Sequence, residues 1–386
     1  MPEGLHPLAI TMWDFSWIER RWPGAGFESW DEALDQLTER GYDAVRIDAF
    51  PHLISADPQK EWTLIPVWYS NDWGSPYINR VRLVPQLLAF LEKCREKRVK
   101  VGLSTWYRED RDDVRKALNA PEKMAECWID TLRLIEDAGL MDVILYVDLC
   151  NEWPGDFWAP FFTNDPPWMT WSCWHTDASM AYMRKAIRLV RNAYPHLPYC
   201  FSFDGESTRY YREKDLSFFD LAEHHIWMTK LNQQQFYREV GQAKDGRFTE
   251  EAYHLLSDHA LDVYAGKKDY WRALLSDGIN TLAQDAKAAG LPLATTECWA
   301  ITDYKDYPML PWDWVKELCA LGVKTACATG QWALIATSNF AAPQFRGMWR
   351  DTAWHRRLTD QIHASALPKE LDASPLRETM QWHTPK

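Results

Sequence analysis

The chain has 386 residues, with 43 basic and 55 acidic side chains, which leaves a formal net charge of −12. A charged fraction of 25% beside 46% hydrophobic residues excludes a disordered or fibrous chain. The acidic surplus argues against a nucleic-acid partner, which calls for a basic surface to neutralise phosphates.

In chain order, eight short apolar runs alternate with helical patterns. A run at 8–13 precedes a helix over 29–40, and a run at 42–48 precedes one over 79–98. The run at 99–104 leads to 120–138, that at 142–149 to 177–193, and that at 198–203 only to a short helix within 212–219. The last three runs, 221–226, 291–296 and 323–330, precede helices over 270–289, 312–321 and 352–364. The runs have the length and apolar content of strands buried on both faces. Gly41, Gly139, Gly290 and Gly322 follow helical patterns as stop signals. Eight such units without a break predict an α/β fold, a (β/α)₈ TIM barrel, as one domain over 1–366 with a tail over 367–386. A doubly wound sheet would need a phosphate turn after an early strand. The only candidate, Gly24-Ala25-Gly26, lacks a third glycine at Ser29.

Eight cysteines show no CxxC spacing and no dense framework, and so read as reduced thiols. The first ten residues carry no basic and apolar pattern of a signal peptide, and no apolar stretch reaches 18 residues. A cytoplasmic protein without a membrane partner is expected.

In a TIM barrel the chemistry lies at the C-terminal strand ends. After the fourth run comes Asp148-Leu149-Cys150-Asn151-Glu152-Trp153, and after the seventh Thr295-Thr296-Glu297-Cys298-Trp299. Two carboxylates facing across a barrel mouth are what glycosidic cleavage uses, one as acid and one as nucleophile or base. Asn151 is placed to hydrogen-bond a hydroxyl beside the anomeric carbon. Asp204 and Glu206, after the fifth run, suit substrate hydrogen bonding or an ion pair, and Asp14 after the first run could touch a distal hydroxyl or cap a loop. Asp148 shares parity with Glu152 and could meet Arg46 inside the barrel. His224 and His225 point to opposite faces and cannot share a metal, and no HExxH pattern exists, so neither metal nor cofactor is expected.

These residues resemble glycoside hydrolase clan A, and within it the family-five, cellulase-like enzymes. Asn151-Glu152 matches the family's acid/base pair on strand four, and Glu297 its nucleophile on strand seven. Gly41-Tyr42-Asp43-Ala44-Val45-Arg46-Ile47 is similar to the strand-two segment whose arginine lies beneath the nucleophile. His225-Ile226-Trp227 resembles the strand-six His-x-Tyr motif, with Trp227 in place of Tyr. Trp332 resembles the tryptophan that floors the subsite of the cleaved sugar, with a cis peptide bond expected after it. Ser104-Thr105-Trp106 departs from the histidine that many members carry at the end of strand three.

The resemblance implies retaining double displacement, with Glu297 forming a glycosyl-enzyme and Glu152 acting as acid and then base. It implies carboxyl groups roughly 5–5.5 Å apart. Arg46 is expected to keep Glu297 ionised and leave Glu152 protonated. The substrate it suggests is a short oligosaccharide or disaccharide cut from one end, with a Man-β-1,4-GlcNAc-type β-mannoside first. A β-glucoside, a β-galactoside or endo-glucanase action come next. A metal-dependent sugar isomerase or epimerase and a non-catalytic carbohydrate-binding barrel are the readings from other classes.

The 23 tryptophans divide by position. Trp13, Trp106, Trp153, Trp227, Trp299 and Trp332 follow six different strands, where they could line a sugar cleft. Trp128, Trp271 and Trp314 fall on helices and read as packing. The segment 153–174 holds Trp153, Phe157, Trp158, Phe161, Phe162, Trp168, Trp171 and Trp174. It reads as a plug over the barrel, a wall of sugar subsites or a homo-oligomer contact.

Overall fold

A computed structural model describes the chain except residues 1–3, 69–71, 163–172, 206, 243–248, 307–309 and 383–386. The predicted strands form β1 (Leu8–Thr11), β2 (Ala44–Asp48), β3 (Lys100–Ser104) and β4 (Ile144–Asp148). Then follow β5 in two pieces (Tyr199–Cys200 and Phe203–Asp204), β6 (Ala222–Trp227), β7 in two pieces (Leu293–Thr295 and Cys298–Trp299) and β8 (Trp332–Ala336). All neighbours are parallel, from Ile10 opposite Ala44 round to Leu8 opposite Leu334. The split of β5 matters for closure: its first piece pairs with β4 and its second with β6, so the ring of eight strands is complete. At the split, Ser202 donates both its N–H and its hydroxyl to Asp148 at 2.8 Å, replacing ladder bonds that the break removes.

Around the barrel run α1 (Trp30–Glu39), α2 (Leu83–Glu96), α3 (Pro121–Asp137), α4 (Asp177–Ala193), the single turn α5 (Tyr210–Glu213), α6 (Lys268–Ala288), α7 (Asp313–Thr329) and α8 (Thr352–His363). Ser29 and Thr176 accept from the backbone N–H groups of Glu32 and Ser179 and so start α1 and α4. The barrel-to-helix layer takes the helical tryptophans: Trp128, Trp271 and Trp314 are all buried.

One predicted unit is displaced. Residues 323–330, expected as the eighth strand, form the second half of α7, and the strand follows at Trp332–Ala336. Val315, Leu318, Cys319, Gly322, Val323 and Ala326 are buried at helical spacing, which a strand would not give. Gly322 is no stop signal. A Cβ there would lie 2.5 Å from the Trp299 indole, so the glycine lets α7 close onto β7. The helix ends instead at Gly330, in the left-handed region at φ +65°.

The tail packs at the N-terminal end of the barrel. Thr379 donates to the carbonyl of Leu145 and Ser374 to that of Asp220, both at 2.6 Å. Lys100, first residue of β3, sits 4.3 Å above the Trp382 ring. All eight cysteines are free thiols. Among the described residues no helix is long and apolar enough to cross a membrane.

Candidate active site

At the opposite, C-terminal end, β4 and β7 deliver the two glutamates. Glu152 takes a left-handed backbone at φ +45°, held because its N–H donates to Ser202 Oγ at 2.9 Å while Asn151 N–H donates to the Thr105 carbonyl at 2.9 Å. Glu297 stands in the gap between the two pieces of β7, its carbonyl accepting from Ile226 of β6. Both residues are buried.

Arg46 of β2 lies fully buried and organises the floor. Its guanidinium donates to Asp14 through two bonds of 2.9 and 3.0 Å, to Glu223 at 2.9 Å, to Asn151 Oδ1 at 2.8 Å and to Glu297 at 2.7 Å. Asp14 therefore neither caps a loop nor faces solvent; it is an ion-pair partner, and the Trp106 indole N–H also donates to it. Asp148 approaches Arg46 at 3.9 Å and is otherwise bound by Ser104 and Ser202. Burial and repulsion from Glu223 push its carboxyl up to about 6, against Arg46 and those hydroxyls. Asn151 keeps its buried Nδ2 without a hydrogen-bond partner.

His225 of β6 joins the two glutamates. Its Nδ1 lies 2.9 Å from Glu152 and 3.5 Å from Glu297 Oε1. Its Nε2 faces Glu223 at 3.5 Å and Arg46 at 3.0 Å. Oxygens of Glu152 and Glu297 and a ring nitrogen of His225 all lie within 4.8 Å of one another. His224, two-sided as its parity requires, turns outward to Gly205 and Tyr211.

Glu223 is the residue that sequence reading missed. It lies inside β6, not at the strand end, and so escaped a search of the loops; the parity it shares with His225 was the available signal. Its carboxylate accepts from Arg46, from Thr296 N–H and from Thr296 Oγ1, the last two at 3.0 Å. Burial opposes its ionisation, but Arg46, His225 and Thr296 outweigh it and hold the carboxyl down at about 2.

Four carboxylates, Asp14, Glu152, Glu223 and Glu297, thus crowd two cations, Arg46 and His225. His225 is pushed up to about 10: burial works against its charge, but Glu297, Glu152 and Glu223 overcome it. Burial drives Glu297 up to about 8, with repulsion from Glu152 and Asp14 adding to it and His225 and Arg46 opposing. For Glu152 burial is outweighed by Lys230, His225 and Arg46, and its carboxyl falls below the ordinary range. Arg46 donates to Glu297 at 2.7 Å and favours its ionised form, while sharing its charge with Asp14 and Glu223.

Asp204 pairs with Lys230 at 2.5 Å, with its second oxygen buried and unbonded. Lys230 also sits 4.0 Å above the Trp227 ring, whose buried indole N–H has no partner. Glu206, Trp168 and Trp171 lie outside the described residues.

Three predicted cleft tryptophans belong to packing. Trp332 begins β8 instead of following it, and its N–H donates to Thr295 Oγ1 at 2.8 Å, below the mouth. Trp299 turns outward against Gly322 of α7 and donates to the Ala336 carbonyl. Trp153 packs on α4, donating to Ser179 and stacking on Tyr182 with centroids 4.9 Å apart. The non-proline cis bond is Cys298-Trp299, not the bond after Trp332.

Trp106 does face a cleft. Together with Trp68, Phe157 and Trp158 it lines a cavity of about 360 Å³, rimmed by Arg108, Glu109, Arg115 and Asp156. The aromatic segment thus divides. Phe157 and Trp158 form part of that wall, while Trp153, Phe161 and Trp174 are buried inward, Trp174 stacked on Phe203 at 4.2 Å.

A closed parallel barrel with a buried glutamate pair after β4 and β7, above an arginine on β2, has the architecture of the clan A glycosidases. The sequence profile described as "sugar-binding cellulase-like" matches residues 10–363, and the chain belongs to that cellulase-like family. A crystal structure of a proposed glycoside hydrolase from Parabacteroides distasonis is 51% identical, with a TM-score of 0.94 over 98% of this chain and 99% of that one. Two members of family 5, subfamily 18, share the fold at 12% identity. That from Streptomyces cattleya, solved with GlcNAc, gives a TM-score of 0.53 over 95% of this chain and 83% of its own. That from Bifidobacterium longum subsp. longum gives 0.51 over 95% and 81%. No curated protein matches the chain in sequence.

Proposed function

We propose that this chain is a retaining β-glycosidase acting on short oligosaccharides, with Glu152 as acid/base and Glu297 as nucleophile. The observation that carries this reading is the spacing of the pair: oxygens of the two glutamates lie within 4.8 Å, both in reach of one His225 nitrogen. That favours direct attack at the anomeric carbon over inversion, which needs about 6.5–9.5 Å to admit a water.

Productive binding requires the one proton the pair shares to stand on Glu152, and the His225 imidazolium, with Nδ1 2.9 Å from Glu152 and 3.5 Å from Glu297, can give Glu152 its Nδ1 proton and take one back from Glu297. Glu152 then protonates the leaving oxygen while Glu297 attacks C1. In the second half Glu152 takes a proton from water, which displaces Glu297. Asn151 Nδ2, buried and unbonded, is free to meet the hydroxyl next to C1. The Glu152–His225–Glu297 group also has metal-ligand spacing. Arg46, 2.7 Å from Glu297 and 3.0 Å from His225, already supplies a fixed cation there. That disfavours the isomerase reading.

The β-mannoside preference rests on the family-five resemblance, and β-glucosides and β-galactosides are the alternatives. A panel of aryl β-glycosides against wild type and Glu297→Gln decides. Cleavage of one β-glycoside by wild type, with a loss of about 10³-fold or more in Glu297→Gln, is expected. No cleavage of any β-glycoside, or full activity in Glu297→Gln, overturns the reading.

A further inference from the structure

Beyond the glutamate pair and its support, the mouth of the barrel holds a buried side chain whose polar atoms are all unbonded. β8 ends at Ala336, and the chain turns over Thr337, Ser338 and Asn339. Thr337 bonds the Tyr42 hydroxyl, and Ser338 Oγ accepts from Phe340 N–H at 3.0 Å, so both are accounted for. Asn339 is different. Its backbone is fixed on both sides: its N–H donates to the Cys298 carbonyl at 2.9 Å, and its carbonyl accepts from the Trp13 indole. Those two partners stand next in sequence to Glu297 and to Asp14, the ligand of Arg46. Yet its side-chain amide, in a residue 1% exposed, has no hydrogen-bond partner at either Nδ2 or Oδ1. A buried amide left with both ends unbonded is costly, and such exceptions call for an explanation.

We infer that Asn339 reads hydroxyls of the substrate's cleaved sugar and sets specificity there. This rests on the glycosidase reading and deepens it. An amide offers one acceptor and two donors in a plane, the complement of a hydroxyl or of two neighbouring hydroxyls, each of which donates and accepts. An aromatic floor would stack on any pyranose, whereas a bare amide discriminates which hydroxyls are present and how they point. Asn339 approaches from β8 while Asn151 approaches from β4, on the other side of the ring of strands. The two asparagines therefore contact different edges of the sugar. Asn151 takes the hydroxyl beside C1, and Asn339 takes hydroxyls farther round the ring.

A double-mutant cycle between protein and ligand tests this. Wild type, Asn339→Ala and Asn339→Asp are each titrated with the best-bound glycoside and its 3-, 4- and 6-deoxy analogues, following tryptophan fluorescence for Kd and hydrolysis for kcat/KM. Thermal melts check that each variant folds, and Asn339→Asp, which keeps size and shape, serves if the alanine variant does not. Wild type should lose about tenfold or more on one deoxy analogue. The variants should bind the parent sugar weakly and no longer distinguish it from that analogue. Unchanged discrimination in folded Asn339→Ala or Asn339→Asp overturns the inference. Sugar that binds without being cleaved overturns the glycosidase reading instead, and the cycle in Kd still decides the role of Asn339.

Discussion

Glu223 and His225 project from the same face of β6, and the carboxylate of one lies 3.5 Å from Nε2 of the other. Since Nδ1 of that ring bonds Glu152, the buried strand residue reaches the proposed acid/base through a single imidazole. Glu223 is thus a positioning residue for both the charge of His225 and that of the glutamate pair.

Removing its charge has a definite sign. Glu223→Gln takes one negative charge from the cluster and frees Arg46 to favour ionised Glu297. The shared proton is then held less tightly, and the alkaline limb of kcat/KM should move to lower pH by about one unit. A merely structural role would lower activity without moving the limb.

His225 links the site to stability. Its folded value of about 10 lies above the 6.5 of an unperturbed imidazole. Its contribution is therefore complete below pH 6.5 and lost as pH rises towards 10. Wild type should be more stable than His225→Gln near pH 6, and the difference in Tm should shrink steadily by pH 10. A difference that is constant with pH would mean that the ring is uncharged.

Gly322→Ala probes the layer behind the site. The added methyl meets the Trp299 indole at 2.5 Å, within reach of neither glutamate. Overpacking of this kind costs about 1–3 kcal/mol. A Tm lowered by a few degrees with KM unchanged is expected, read by thermal melts and initial rates.

Much of this was legible from periodicity and from strand ends. The glutamates stood where apolar runs stop, and Arg46 stood as the one basic residue inside its run. What misled was local chemistry serving a tertiary purpose. Gly322 had the look of a helix stop, yet it is there to admit Trp299, and that one misreading moved the eighth strand. Trp332 and Trp153 followed predicted strands in sequence but do not line the mouth: Trp332 opens the true β8 and bonds Thr295, and Trp153 packs on α4. Glu223 and Asn339 were hidden for opposite reasons. The first lies below the strand end and the second beyond a strand assigned to the wrong residues.

Glu152→Ala with added azide tests the retaining mechanism most directly. Azide should fill the space of the lost carboxylate and restore turnover of an activated aryl β-glycoside, giving a β-glycosyl azide seen by proton NMR. An α-glycosyl azide would contradict double displacement through Glu297, and no rescue of the folded variant would contradict the role of Glu152.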